Sequence, residues 1–232
     1  MLKLLLINII IGEAGSSSFG MGAGFTFSYY SVYSWYYSYY PEDYSFIKAV
    51  PKGINLSFSF KTRGIGLRVN PDFIKGGYRS KYESMWEYFR IQSDFKEIGL
   101  EVSILYYILS KNFDFYLGFG TLFSRTDYYL EDYYFGKWDS TVISEEMNSS
   151  GNLLGFPLII GIEKEIFKNI RIFLEIYPLF YGLLNLKEER NYNGTETEKG
   201  KMDFLISGGF LPENFYSEGR LERIRIGLKY ER

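Results

Sequence analysis

A period-two alternation constrains this chain more than any other feature. Phe19, Met21, Ala23, Phe25 and Phe27 interleave with Gly20, Gly22, Gly24, Thr26 and Ser28. Near the end, Ile224, Ile226, Leu228 and Tyr230 interleave with Arg223, Arg225, Gly227 and Lys229. Such a period describes strands whose two faces meet different surroundings. One face is almost continuously apolar and the other carries glycine, hydroxyls and ionised groups. A soluble sandwich would turn the apolar face to a core. A membrane barrel would turn it to lipid and the polar face to a lumen.

The alternation recurs eight times. The first strand is expected near 19–30 and the second near 54–61. The third is expected near 65–69, ending before Pro71. The fourth carries Ile98 to Ile108 and the fifth Phe113 to Phe119. The sixth carries Leu154 to Ile162, the seventh Ile170 to Ile176, and the eighth spans 221–230. Tight turns are expected at Thr62-Arg63-Gly64, Ser110-Lys111-Asn112 and Phe167-Lys168-Asn169. Long loops are expected over about 31–51, 71–93, 126–151 and 187–220. Short and long connections therefore alternate, as in outer-membrane barrels with short periplasmic turns and long external loops. The fold expected is an all-β, eight-stranded antiparallel up-and-down transmembrane barrel. Residues 202–210 leave a ten-strand version open.

Met1-Leu2-Lys3, an apolar run from Leu4 to Ile11 and the small residues Gly12 to Ser16 read as a short secretory signal over 1–15. The barrel domain then occupies 16–232. No apolar run reaches the roughly 18 residues of a spanning helix. The chain has no Cys, which excludes disulfides and thiolate chemistry, and no His. The absent imidazole removes the commonest general base and metal ligand. A net charge of −2 gives no electrostatic case for nucleic acid. No cofactor is expected.

With the apolar face outward, the lumen-facing charges can be named. The acids are Glu101, Asp114, Glu163, Glu165 and Glu175, and the bases Lys61, Arg68, Arg171, Arg223, Arg225 and Lys229. An eight-strand barrel is just wide enough for side chains to fill. Opposite charges are therefore expected to pair across it as a plug rather than to line an open path. Nine inward glycines, among them Gly118, Gly155 and Gly161, make room for long side chains. A second group is aromatic, in a chain with 23 Tyr and 21 Phe. Tyr30, Tyr33, Trp35 and Tyr36 follow the first strand, and Tyr128, Tyr129, Tyr133, Tyr134 and Trp138 follow the fifth. They fit an interfacial girdle continued into external loops. Asp127, Glu131, Asp132 and Asp139 lack the spacing of a calcium loop and read as a solvated acidic segment.

The strand periodicity, loop order and leader together resemble the small outer-membrane barrels related to OmpA, OmpX and OmpW. That resemblance covers residues 19–230 and rests on pattern, not on a sharp motif. It implies a bacterial outer-membrane location with both termini periplasmic, and insertion by the barrel-assembly machinery. The aromatic end of the last strand, Tyr230, fits the signal read by that machinery, although Glu231-Arg232 overshoot it. Barrel enzymes of this kind depend on a His that this chain lacks, and Glu163 with Glu165 is the remaining carboxylate pair. The role expected is therefore non-enzymatic: a monomer in lipid, serving envelope structure or surface contact through its loops. A narrow pore or an OmpW-like conduit for small apolar molecules is the first alternative, and a soluble lipocalin-like barrel the second.

Overall fold

The computed structural model describes residues 17–33, 45–49, 51–62, 64–109, 113–209 and 219–232. The expected leader, Trp35 and Tyr36, and the turn at 110–112 lie outside the described residues. The strands are β1 (Ser18–Tyr33), β2 (Ser45–Ala49), β3 (Lys52–Thr62), β4 (Ile65–Glu83) and β5 (Glu87–Leu109). They continue as β6 (Asp114–Gly136), β7 (Val142–Phe167), β8 (Ile170–Tyr192), β9 (Thr195–Gly209) and β10 (Gly219–Glu231).

Hydrogen bonding closes the sheet. β1 pairs with β3 on one side and with β10 on the other, both antiparallel. β3 to β8 follow as sequential antiparallel neighbours. β8 pairs with β10 over Ile170–Ile176, which completes a ring of eight strands. Further from the turns, β8 leaves β10 and pairs with β9 over Leu179–Tyr192. β2 likewise pairs with the far end of β1. The eight- and ten-strand expectations are thus both present, at different heights: eight strands close the barrel, and β2 and β9 join beyond it.

The faces divide as the alternation requires. Phe19, Met21, Phe25, Phe27, Ile54, Leu56, Phe58 and Phe60 point outward and are exposed. So do Ile98, Leu100, Val102, Ile104 and Ile108 on β5, and Phe115, Leu117, Phe119 and Phe123 on β6. Arg68, Asp72, Glu97, Glu101, Glu175, Arg223 and Arg225 are buried inside. This is the reverse of a soluble barrel, and it rules against the lipocalin-like alternative. Only a lipid surround makes such a belt favourable, since the same residues in water would form a very large exposed apolar surface.

Three of the expected long loops are strands. β4 and β5 pair without interruption out to Glu83↔Tyr88; β6 and β7 pair to Phe135↔Val142 with a break at Gly120 and Thr121, and β8 and β9 to Tyr192↔Thr195 with a register shift between Arg190 and Asn191. The third strand does not stop at Pro71: β4 runs through it to Glu83. The ladder between β3 and β4 is interrupted at Leu56 and Ser57, opposite the proline that lacks an N–H. Toward the tips both faces of the sheet meet water, so the apolar–polar contrast that marks a strand fades while the backbone pairing persists. A membrane crossing takes about 9–11 residues. β5 to β8 have 23 to 26, so more than half of each strand projects outside.

The belt yields a test. Ile104 is 62% exposed near the centre of the belt portion of β5, Ile98 to Ile108. Ile104→Arg should cost about 2–4 kcal/mol of barrel stability, read by denaturant unfolding from phospholipid vesicles. An unchanged midpoint would place this face away from lipid.

Candidate functional site

The lumen is built around two arginines of β10. Arg223 Nη2 donates to both carboxylate oxygens of Glu97 at 2.9 Å, and its Nε donates to Ser28 Oγ at 3.1 Å. Its Nη1 lies 3.5 Å from Asp72. Arg225 donates to Glu101 at 2.7 Å and to Asp72. Thr26 donates to the other oxygen of Asp72 at 3.0 Å. Arg68 of β4 joins Glu101 to Glu175, and Tyr177 and Tyr116 donate to Glu101 and Glu175 in turn. Charge-assisted contacts of this kind offset the cost of taking ions out of water. Arg225 also stacks its guanidinium 5.1 Å from the Tyr177 ring centroid.

A second cluster lies nearer the turns. Lys229 Nζ donates to both oxygens of Glu163 at 2.9 Å and lies 3.3 Å from Glu231. Arg171 bridges Asp114, Glu163 and Glu231, and Lys61 reaches Asp114 at 3.2 Å. Ser18 donates to Glu231 at 2.6 Å. The backbone of Arg232 pairs with Phe19 in both directions. The two terminal residues that overshoot the aromatic signal are therefore part of the closure.

Ten of the eleven expected lumen charges meet in these two clusters. Glu165 does not: it pairs in the ladder with Arg171 at the rim beside the turn, is exposed there, and accepts from the Asn169 N–H at 3.3 Å. Asp72, Glu97 and Glu231 join the clusters without having been expected there. Glu97 was available by counting back from Glu101 in steps of two, but Asp72 lies past a proline that reads as a strand end.

Charge fills only part of the lumen. Leu105, Leu122, Leu153, Ile159, Phe180 and Leu184 of β5 to β8 are buried against it. Toward the extensions, Phe95, Tyr128, Met147, Leu186, Ile206 and Leu221 continue the same apolar cluster, which also takes in the rings of Tyr107, Tyr116 and Tyr177. Tyr128 is thus an interior residue, not part of an outer girdle. The missing side chains of Gly161 and Gly155 provide the space in which the Tyr116 and Phe180 rings lie. Inward glycines announce the room in the sequence but not its apolar filling, because leucine is equally at home facing lipid.

The other aromatic residues decorate the extensions. Tyr133 packs edge-on against Tyr88 with centroids 5.9 Å apart, and Arg90 sits over its ring. Tyr129 and Tyr134 are half-buried. Of Tyr30 and Tyr33 the structure gives positions in the ladder alone, Tyr30 opposite Leu221 and Ala49 and Tyr33 opposite Ser45. At the tips, Trp138 stacks on Trp86 at 4.5 Å, and Lys137 donates to Glu83 at 3.2 Å and to the Ser84 carbonyl at 2.7 Å. This clasp joins the β4–β5 hairpin to the β6–β7 hairpin. Nothing in the sequence singles out Trp86 or Glu83.

A lipid-facing apolar exterior around a charged, filled interior decides the architecture. The fold is that of a small outer-membrane β-barrel. No family model and no curated protein matches the chain. Solved structures do resemble it. The outer membrane protein OprG from Pseudomonas aeruginosa is 13% identical, with a TM-score of 0.49 over 94% of this chain and 96% of that one. A major outer membrane protein from Thermus thermophilus is 11% identical, with a TM-score of 0.47 over 94% and 100%. The attachment invasion locus protein Ail of Yersinia pestis is 12% identical, with a TM-score of 0.43 over 94% and 100%.

Two outcomes test the site. Arg225→Leu leaves Asp72 and Glu101 short of a cation and should cost about 3–5 kcal/mol in denaturant unfolding. Adding Glu101→Gln should recover part of that loss, because the two changes share one contact. In the extension, Asp132 lies opposite Glu145 in the ladder. Burial and then the Glu145 charge push its carboxyl up to about 6. The folded form therefore holds this proton more tightly than the unfolded chain. Its contribution is whole below about pH 4 and is lost as pH rises through about 6. Hydrogen-exchange protection of the β6–β7 extension should fall across that window, and Asp132→Asn should flatten the dependence.

Proposed function

We propose that this chain is a non-enzymatic integral protein of the bacterial outer membrane, with a sealed lumen and with its strand extensions presented outside the cell as a contact surface. The observation that carries the reading is the inverted barrel: charges neutralised inside, an aliphatic and aromatic belt outside. The sealed lumen is favoured over a pore because Arg223, Arg225, Glu101, Tyr177 and Phe180 are almost wholly buried. Tyr177 on β8 and Arg225 on β10 both reach Glu101 on β5, so side chains meet across the interior. The contact role is favoured by the extension tips. Met85 and Trp138 are 73% and 74% exposed, and Trp86, Val142 and Ile143 are exposed beside them. Apolar side chains held in water at the end of a clasped pair of hairpins offer a partner desolvation energy without a large ordering cost.

Both parts can be measured. Reconstitution into planar bilayers should give no stable single-channel conductance, and an ion-selective, reproducible conductance would reverse the sealed-lumen reading. Orientation is open to labelling because the chain has no Cys. Trp138→Cys should react with a membrane-impermeant maleimide on intact cells. Lys168→Cys, in the turn between β7 and β8, should react only after the envelope is broken. The opposite pattern would turn the extensions inward.

A further inference from the structure

The outward face carries a row of lysines that the barrel itself does not use. Lys52 of β3, Lys75 of β4 and Lys96 of β5 are direct cross-strand partners, Lys52↔Lys75 and Lys75↔Lys96. The row continues through Asp127 and Ser150 to Lys187 and Lys201. All five lysines are exposed. Among the described residues, none of the five makes an ion pair. Two of the nearby carboxylates serve other cations: Asp127 lies 3.7 Å from Arg125, and Glu189 lies 3.4 Å from Lys199. Like charges directly opposite one another destabilise a sheet. Three adjacent lysines have no carboxylate between them in the ladder; Asp127 stands at the end of the trio and Asp94 on the next outward row, and among the described residues neither forms an ion pair with them.

Their height is specific. One outward position nearer the turns, each of the first three strands carries a belt residue: Ile54, Phe73 and Ile98, all exposed. In the other direction along the same row lie Phe27 and then Ile224, both within the belt. At β8 and β9 the row stands further out, because Asn185 and Asp203 separate Lys187 and Lys201 from the apolar Leu183 and Leu205. The row therefore rises out of the belt as it goes round, as tilted strands require. Lys52, Lys75 and Lys96 stand where the hydrocarbon ends. Beside them a cavity of about 740 Å³ runs between this row and the next outward row, with Lys75, Lys96, Lys187 and Lys201 on the row and the acids Asp94, Glu188 and Glu189 also in its lining. Neighbouring strands are about 4.8 Å apart, so three lysines cover about 10 Å of rim. That matches one or two phosphorylated headgroups.

We propose that Lys52, Lys75 and Lys96, continued outward by Lys187 and Lys201, form a binding rim for the phosphates of anionic membrane lipids. Lysine suits this task as a mobile point charge on a stem that lies along the hydrocarbon boundary. Clustered lysines at a membrane surface each gain from anionic lipid. The bound phosphates sit between lysines that have no carboxylate between them, so anionic lipid stabilises the barrel through this patch. The proposal rests on the membrane reading above, and the two fail differently. A protein that does not insert into phosphatidylcholine bilayers fails that reading. One that inserts but ignores lipid charge fails this one.

The test compares nanodiscs of pure phosphatidylcholine with nanodiscs holding phosphatidylcholine and phosphatidylglycerol at four to one, with tryptophan fluorescence reporting the unfolding temperature. The native chain should gain thermal stability in the anionic bilayer, and 0.5 M salt should suppress the gain. The triple variant K52Q/K75Q/K96Q should lose at least half of it. In the neutral bilayer the same variant should be no less stable than the native chain, since its lysines no longer repel. Lys81→Gln, far out on the β4 extension, should keep the full gain. The proposal is overturned if the triple variant keeps more than half of the gain, if Lys81→Gln loses as much, or if the native chain shows no gain. Should the triple variant not fold, Lys75→Gln at the centre of the row carries the same comparison, with a loss of at least a quarter expected and a smaller loss overturning the proposal.

Discussion

Everything in this barrel depends on finding a counter-charge for Arg223 and Arg225. Both side chains are fully buried on the last strand, and the carboxylates that hydrogen-bond them lie on β4 and β5. The partners are separated by more than 120 residues of chain. A partly closed sheet would leave these ions unpaired in a poorly solvated interior, which is strongly unfavourable. Closing the ring and neutralising the charges are therefore one event. The same network fixes the register, because a slip of one residue would exchange Arg225 with Ile224 or Ile226 and turn a guanidinium to lipid.

The interior has two materials for two tasks. Ion pairs tie together strands that are distant in sequence, β10 to β4 and β5, and β8 to β4. Aliphatic and aromatic side chains fill the volume between β5 and β8, where neighbours in space are also neighbours in sequence. Hydrophobic packing is non-directional and tolerates such a wall. Directional hydrogen bonds are placed where the chain has to recognise its own far end. Glycine at 155 and 161 lets the two materials meet, since the Phe180 and Tyr116 rings reach inward only across a missing side chain.

Sequence made the belt strands legible because lipid outside and charge inside impose opposite demands on alternate residues. Ten lumen charges, from Lys61 to Lys229, followed from parity alone. The extensions were not legible in the same way. Tyr78, Arg79 and Gln92 sit in paired strands, but both faces there meet water and the alternation has no reason to persist. Pro71 reads as a strand end because it lacks a ladder donor, yet β4 continues past it and carries Asp72 to the centre of the network. Glu165 failed for a different reason. It keeps the ladder place opposite Arg171 but stands at the rim beside the turn, where an inward parity no longer means burial. Nor could sequence show that Trp86 and Trp138 would stack, since they lie on different hairpins.

The change of partner along β8 makes the barrel mechanically unequal around its circumference. Between β7 and β8 the ladder runs from Glu145 to Phe167, whereas β8 meets β10 only from Ile170 to Ile176. Above that, among the described residues, β10 pairs with β9 at Gly219 and Arg220 only. A force that parts the strands would meet least backbone resistance at this seam. The seam is also where Glu175, Arg171 and Tyr177 reach across toward Arg225 and Glu231. Side-chain rivets stand where the stitching is shortest, so the barrel's resistance to being unzipped there is set by ion pairs and depends on how well water is kept from them.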